Sequence, residues 1–150
     1  MKTICISLIL GILIVLLTVA NVTAHCEIPC GIYDDNLRVQ LMAEHIETIE
    51  KSIKKIVELG NAKPVNYNQI VRWITNKEVH ADKIQHIVAQ YFMTQRIKPN
   101  TSKYADKLVV LHKMLLYVMK CKQTTDLENV KTLRSLLKEF ELLYFGHNHS

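Results

Sequence analysis

Residues 34–61 read DDNLRVQLMAEHIETIEKSIKKIVELGN, and their spacing decides the fold. Leu37, Leu41, Met42, Ile46, Ile49, Ile53, Ile56 and Val57 recur at three- and four-residue steps, which is the period of a helix with one apolar face. Asp34 or Asp35 can cap its start. Gly60-Asn61 supplies the stop, and Pro64 lies in the loop beyond.

Three further segments follow the same rule. A second helix is expected from about Asn68 to Thr94, with Ile70, Trp73, Ile74, Ile84, Val88, Tyr91 and Phe92 turned inward; its polar middle, Asn76 to Asp82, reads as irregular. Pro99-Asn100 breaks the chain. A third helix carries Tyr104, Leu108, Leu111, Leu115, Val118 and Met119. The fourth opens on Thr125-Asp126-Leu127-Glu128, the spacing of a capping box with a hydroxyl at the N-cap and a carboxylate three residues on. Its stripe is Leu127, Val130, Leu133, Leu137, Phe140 and Tyr144. Glycine is scarce, four in 150 residues, and no segment alternates like a strand. Long amphipathic helices joined by short connections predict an all-α fold, an antiparallel up-down four-helix bundle over residues 34–150. Such a bundle does not select a function by itself.

Upstream of the bundle the chain changes character. Lys2 precedes an almost wholly apolar run from Ile4 to Ala20, and Asn21-Val22-Thr23-Ala24 returns to small and polar residues. That order is the signature of a secretory signal peptide covering residues 1–24, with Val22 and Ala24 before the cut and His25 as the first mature residue. The apolar run, broken by Ser7, Gly11 and Thr18, is shorter than the about 20 residues of a membrane span. The mature chain is thus expected to be exported, to periplasm, extracellular space or an internal lumen, and to leave the membrane after cleavage. Of the 19 Lys and Arg, removal takes only Lys2, and it takes none of the 14 acids, so 18 bases face 14 acids and the formal net charge is +4. That mild balance lacks the Lys/Arg runs of a nucleic-acid surface. It is compatible with a small anionic substrate.

Between leader and bundle, residues 25–33 read HCEIPCGIY. Cys5 leaves with the leader, so Cys26, Cys30 and Cys121 remain, an odd number that makes no complete disulfide framework. Cys121 sits in the third helix and reads as a packing residue. A freed His25 offers an imidazole and an α-amine, and Cys26 and Cys30 offer two thiolates. If the Cys26 amide also loses its proton, two nitrogens and two sulfurs lie in one plane, a donor set suited to Ni(II) rather than Ca²⁺ or Mg²⁺. Composition alone does not choose nickel over copper or zinc, although zinc normally wants four tetrahedral side-chain ligands and this stretch has three. Spacing alone leaves a metal site and a Cys26–Cys30 disulfide evenly matched, the latter in a secreted helical interaction protein or, less well supported, a thiol-disulfide enzyme.

The stretch resembles the metal-binding hook of nickel superoxide dismutase, whose pattern is His-Cys-x-x-Pro-Cys-Gly-x-Tyr at a processed amino terminus; all six specified residues match. The resemblance implies one nickel ion per subunit, held by the His25 α-amine and imidazole, by the Cys26 thiolate and amide, and by the Cys30 thiolate. It implies that Tyr33 guards the open coordination position, that His25 and Tyr33 serve catalysis, and that Pro29 shapes the hook. The reaction implied is dismutation of superoxide to oxygen and hydrogen peroxide by Ni(II)/Ni(III) cycling, in a four-helix bundle that assembles as a homohexamer. Glu27 stands where aspartate is common, and Asp35 replaces a proline, so the start of helix one is expected to differ. The family's acid and arginine that hold the terminal imidazole have no secure match: Leu41 falls at the acid's position, with Glu44 and Arg72 as substitutes.

Other residues have plainer readings. His45, His80, His86 and His112 are expected to be exposed or hydrogen-bonded, and His147 and His149 to belong to a frayed tail. Trp73 and the other aromatics at helical spacing read as core or subunit contacts. Lys51, Lys54 and Lys55 form a solvated face. Asn100-Thr101-Ser102 is a glycosylation sequon, relevant only in a eukaryotic secretory route.

Overall fold

The computed structural model describes residues 33–146, so the leader, His25, Cys26, Cys30 and the His147–His149 tail lie outside the described residues. The chain divides at Tyr33 into two units, and the described helices belong to the second, Asp34–Ser150. Four α-helices compose it: α1 (Asp35–Asn61), α2 (Tyr67–His86), α3 (Tyr104–Gln123) and α4 (Leu127–Phe145), with a π-helical segment, Ile87–Arg96, continuing α2.

Asp34 starts α1 by accepting the Leu37 amide on Oδ1 at 2.9 Å. This satisfies one of the orphan donors at a helix start. Val39, Met42, Ile46, Ile49 and Ile53 then face the core. Asn66 caps α2 in the same way through the Gln69 amide at 3.1 Å. The core continues through Ala81, Ile84, Val88 and Phe92, through Leu111, Met114 and Val118 of α3, and through Leu133, Leu137 and Phe140 of α4. Gly146, at φ +82°, closes α4 in the left-handed conformation that glycine adopts without penalty. Side-chain contacts fix the neighbours. Along α1, His45 meets His80 and Ser52 meets Asn76 of α2, while Asp35 meets Tyr144 and Glu50 meets Arg134 of α4. Partner numbers fall as those of α1 rise, the pattern of antiparallel helices. Among the described residues there is no strand, and no helix is long and apolar enough to cross a membrane.

Three local expectations fail. The polar middle of α2 is regular helix, because its polar groups are used between helices. Asn76 donates to Ser52 Oγ at 3.0 Å, and the buried Lys77 amine donates to the Cys121 carbonyl at 2.8 Å and to the Lys122 carbonyl. Lys77 thereby satisfies carbonyls that the last turn of α3 leaves without partners. The irregularity comes later, in the π segment, where Ile97 N–H bonds to the Phe92 carbonyl and the Thr94 and Gln95 side chains bond to carbonyls five residues back. The N-cap of α4 is Asp126, whose Oδ1 accepts the Glu128 amide at 2.9 Å; Thr125 caps nothing, and Glu128 pairs with Lys131. Finally, Leu37, Val57, Ile74 and Met119 are exposed. Leu37 sits in the first turn of α1, ahead of the first buried residue, and Met119 faces away from the core that its neighbours Val118 and Cys121 enter.

Candidate metal centre

The segment proposed to bind metal joins the bundle at the first turn of α1, so the site is built outward from there. Tyr33 is 40% exposed and directly precedes the Asp34 cap. Asp35, the first helical residue, gathers donors from two other elements. Arg96 approaches with Nε at 2.8 Å from Oδ1 and Nη2 at 2.7 Å from Oδ2. Tyr91 donates its hydroxyl to Oδ1 at 2.6 Å, and Tyr144 donates to Oδ2 at 2.7 Å. Burial alone would push this carboxyl up; the hydrogen bonds from Arg96, Tyr91 and Tyr144 outweigh it and hold the group below its ordinary value. Burial and the bond to Asp35 push both phenols the other way, Tyr91 and Tyr144 each to about 12. Beneath the cluster lie edge-to-face contacts of Phe92 with Tyr91, Phe140 and Tyr144. The Arg38 guanidinium covers the Tyr91 ring at 5.1 Å from its centroid.

Cys121 is fully buried in α3, and burial pushes its thiol up to about 11. A thiol so enclosed and protonated is a packing group, as expected for it, and leaves Cys26 and Cys30 as the candidate pair. Among the described residues no three His, Cys, Asp or Glu side chains are grouped as a metal-ion site.

His45 and His80 come together across α1 and α2, their Nδ1 atoms 3.1 Å apart and their rings nearly perpendicular. Burial, their mutual repulsion and Lys83 pull His45 down to about 4; burial and Lys83 lower His80 as well. The hydrogen-bonded reading holds for these two, while His86 and His112 are exposed. Glu44 and Arg72 are exposed too, and no ion pair involves either among the described residues. Leu41 packs against the core. Lys54 and Lys55 pair with Glu50 and Glu58 at the surface, as a solvated face does. The Asp35 cluster and the histidine pair were both missed in sequence. The one available signal for the first was Tyr91 and Arg96 standing five apart rather than three or four.

The model of one protein family, described as nickel-containing superoxide dismutase, matches residues 20–148, a span that takes in His25, Cys26, Cys30, Tyr33 and the whole described bundle. No curated protein and no solved structure matches the chain. With a helical bundle in place and the His-Cys-x-x-Pro-Cys-Gly-x-Tyr stretch inside the matched span, this chain belongs to the family of nickel-containing superoxide dismutases.

Proposed function

We propose that His25, Cys26 and Cys30 hold the nickel of this superoxide dismutase after the chain is cut between Ala24 and His25. The observation that carries this is the family match running through residues 25–33, together with the enclosure of Cys121, the other mature cysteine. The donor set fits the metal. The Cys26 and Cys30 thiolates, the His25 α-amine and imidazole and the Cys26 amidate would supply the mixed nitrogen-sulfur donors that suit Ni(II). Nickel so held supplies a one-electron couple, and anionic sulfur and amidate donors bring its higher state within reach of superoxide. Of two superoxide ions, one gives up an electron and leaves as oxygen; the other takes the electron and two protons and leaves as hydrogen peroxide.

The protein's residues do the rest. Cleavage frees the His25 α-amine, since an amide nitrogen inside a peptide is a poor donor. Pro29, with its fixed φ, and Gly31, with its free one, are the residue types that a turn bringing both thiolates to one ion would need. Tyr33, 40% exposed, would offer its hydroxyl as a hydrogen-bond partner to the small oxygen species or water at the metal. The leader exports the chain, and self-association into a homo-oligomer is supported by Tyr67, Val71 and Ile74, which leave an apolar stripe of α2 exposed at 74%, 60% and 40%.

The test is amino-terminal sequencing, elemental analysis and intact mass on protein matured in the presence of nickel. The expected result is an amino terminus at His25, about one nickel per chain and superoxide dismutation. His25→Ala abolishes activity while leaving helicity intact. A nickel-free chain lighter by two hydrogens, the mark of a Cys26–Cys30 disulfide, would overturn the assignment.

A further inference from the structure

We propose that Asp35 is a positioning residue for the nickel reaction: clamped by Arg96, Tyr91 and Tyr144, it fixes the first turn of α1, the covalent root of the metal-binding segment. The inference rests on the assignment of nickel to residues 25–33.

The first turn of α1 puts no side chain into the core; besides Asp35, it reaches the π segment through the Arg38 guanidinium over the Tyr91 ring. From Tyr33 to Arg38 no residue is buried, Leu37 is 44% exposed, and Val39 is the first side chain to enter the core. The Asp34 side-chain cap is local, since its carboxylate accepts the amide of Leu37 in the same turn. Asp35 reaches outside its helix and takes four hydrogen bonds of 2.6–2.8 Å from the π segment and α4. Two of these form a guanidinium fork, which fixes orientation as well as distance.

The π segment makes this clamp possible. At 3.6 residues per turn, residues 91 and 96 would lie about 140° apart around a helix and could not share one carboxylate. Bonding from i to i+5 brings residues five apart onto nearly the same face. Tyr91 and Arg96 therefore point together at Asp35. The charge-assisted hydrogen bonds from Arg96 stiffen the first turn of α1 at this point.

Donors gathered from His25, Cys26 and Cys30 keep one geometry only if the chain behind them does not swing, and loosening groups that orient a metal's ligands weakens binding by about 10–100-fold. The experiment uses mature, nickel-loaded enzyme and compares wild type with Asp35→Asn, Arg96→Lys, Tyr144→Phe and Asp35→Glu. Nickel release into a chelator is expected to quicken at least about tenfold in Asp35→Asn. Smaller increases are expected in Arg96→Lys and Tyr144→Phe, and Asp35→Glu should restore part of the loss. The electron paramagnetic resonance signal of the oxidised enzyme broadens in the same order. A role in folding alone would lower the thermal midpoint and leave release and spectrum unchanged, and that result overturns the proposal.

Amide hydrogen exchange in nickel-free mature protein supplies an arm independent of the metal. Residues 34–37 should exchange faster in Asp35→Asn, with Val110 to Val118 of α3 unchanged; equal rates at the root overturn the clamp. Should Asp35→Asn fail to fold, Arg96→Lys and Tyr144→Phe carry the same comparison. A wild-type protein that holds no nickel defeats the assignment of the metal instead, and exchange then decides the clamp alone.

Discussion

The second helix and the π segment that continues it are one unbroken run of chain, yet they solve opposite problems. Tyr67–His86 is regular α-helix that leaves Tyr67, Val71, Ile74 and Val79 exposed and spends its polar residues on neighbouring helices. Ile87–Arg96 buries Ile87, Val88, Tyr91 and Phe92 and aims polar groups at the start of α1. The difference teaches that a change of helical register can turn a supporting element into one that organises the end of a bundle. The first half fixes how the helices line up; the second holds the first turn of α1 through Asp35.

The comparison breaks most visibly in a pair of truncations. Phe92, fully buried, touches Tyr91, Phe140 and Tyr144, so Phe92→Ala should cost about 3–5 kcal/mol in lost transfer energy and residual cavity. Val71 is 60% exposed, and Val71→Ala should stay within about 0.5 kcal/mol. Urea unfolding of both variants checks the contrast. Equal losses would mean that the two halves share one packing environment.

A smaller effect tests the polar work of the first half. Lys77 is 4% exposed and serves two carbonyls at the end of α3. Lys77→Met keeps the apolar stem but leaves those carbonyls unsatisfied, at a cost of about 1–3 kcal/mol in the same assay. An unchanged midpoint would show that water caps α3 equally well.

The sequence made the helices legible because Met42, Ile46, Ile49 and Ile53 repeat at the period of their own backbone, a local signal. It made the candidate ligands legible because six specified residues fall within nine positions. What stayed hidden depends on distance in the chain. His45 and His80 are 35 residues apart, and each by itself is an ordinary surface histidine. Asp35 is 109 residues from Tyr144, and nothing in either neighbourhood names the other. The polar run Asn76 to Asp82 looked like a break because a lysine facing inward has no local explanation; its partner is the carbonyl end of another helix. Thr125 lost the N-cap to Asp126 because the cap is whichever residue stays extended just before the helical turns begin. Asp126 holds that place, at φ −78° and ψ 115°, and its carboxylate reaches the Glu128 amide.

The weakest expected effect separates the two halves by pH. His45 is held down to about 4 from an ordinary 6.5, and His80 is also lowered. As pH falls below 6.5 the unfolded chain takes up protons that the folded pair refuses, so stability drops between about pH 6.5 and 4 and is flat, for this pair, above that window. Asp35 behaves differently. Its carboxyl is held below 3.8, so the unfolded chain is protonated first only below about pH 4, and the clamp's contribution is lost there. The pair titrates as a unit, so the check is the double variant His45→Gln/His80→Gln, followed by thermal unfolding from about pH 7 to pH 3. Its midpoint should fall less than that of wild type between about pH 6.5 and 4 and run parallel to it below. Parallel curves throughout would mean that the histidine contact carries no proton-linked energy, and the register of α1 on α2 would then rest on Ser52–Asn76 and the apolar core.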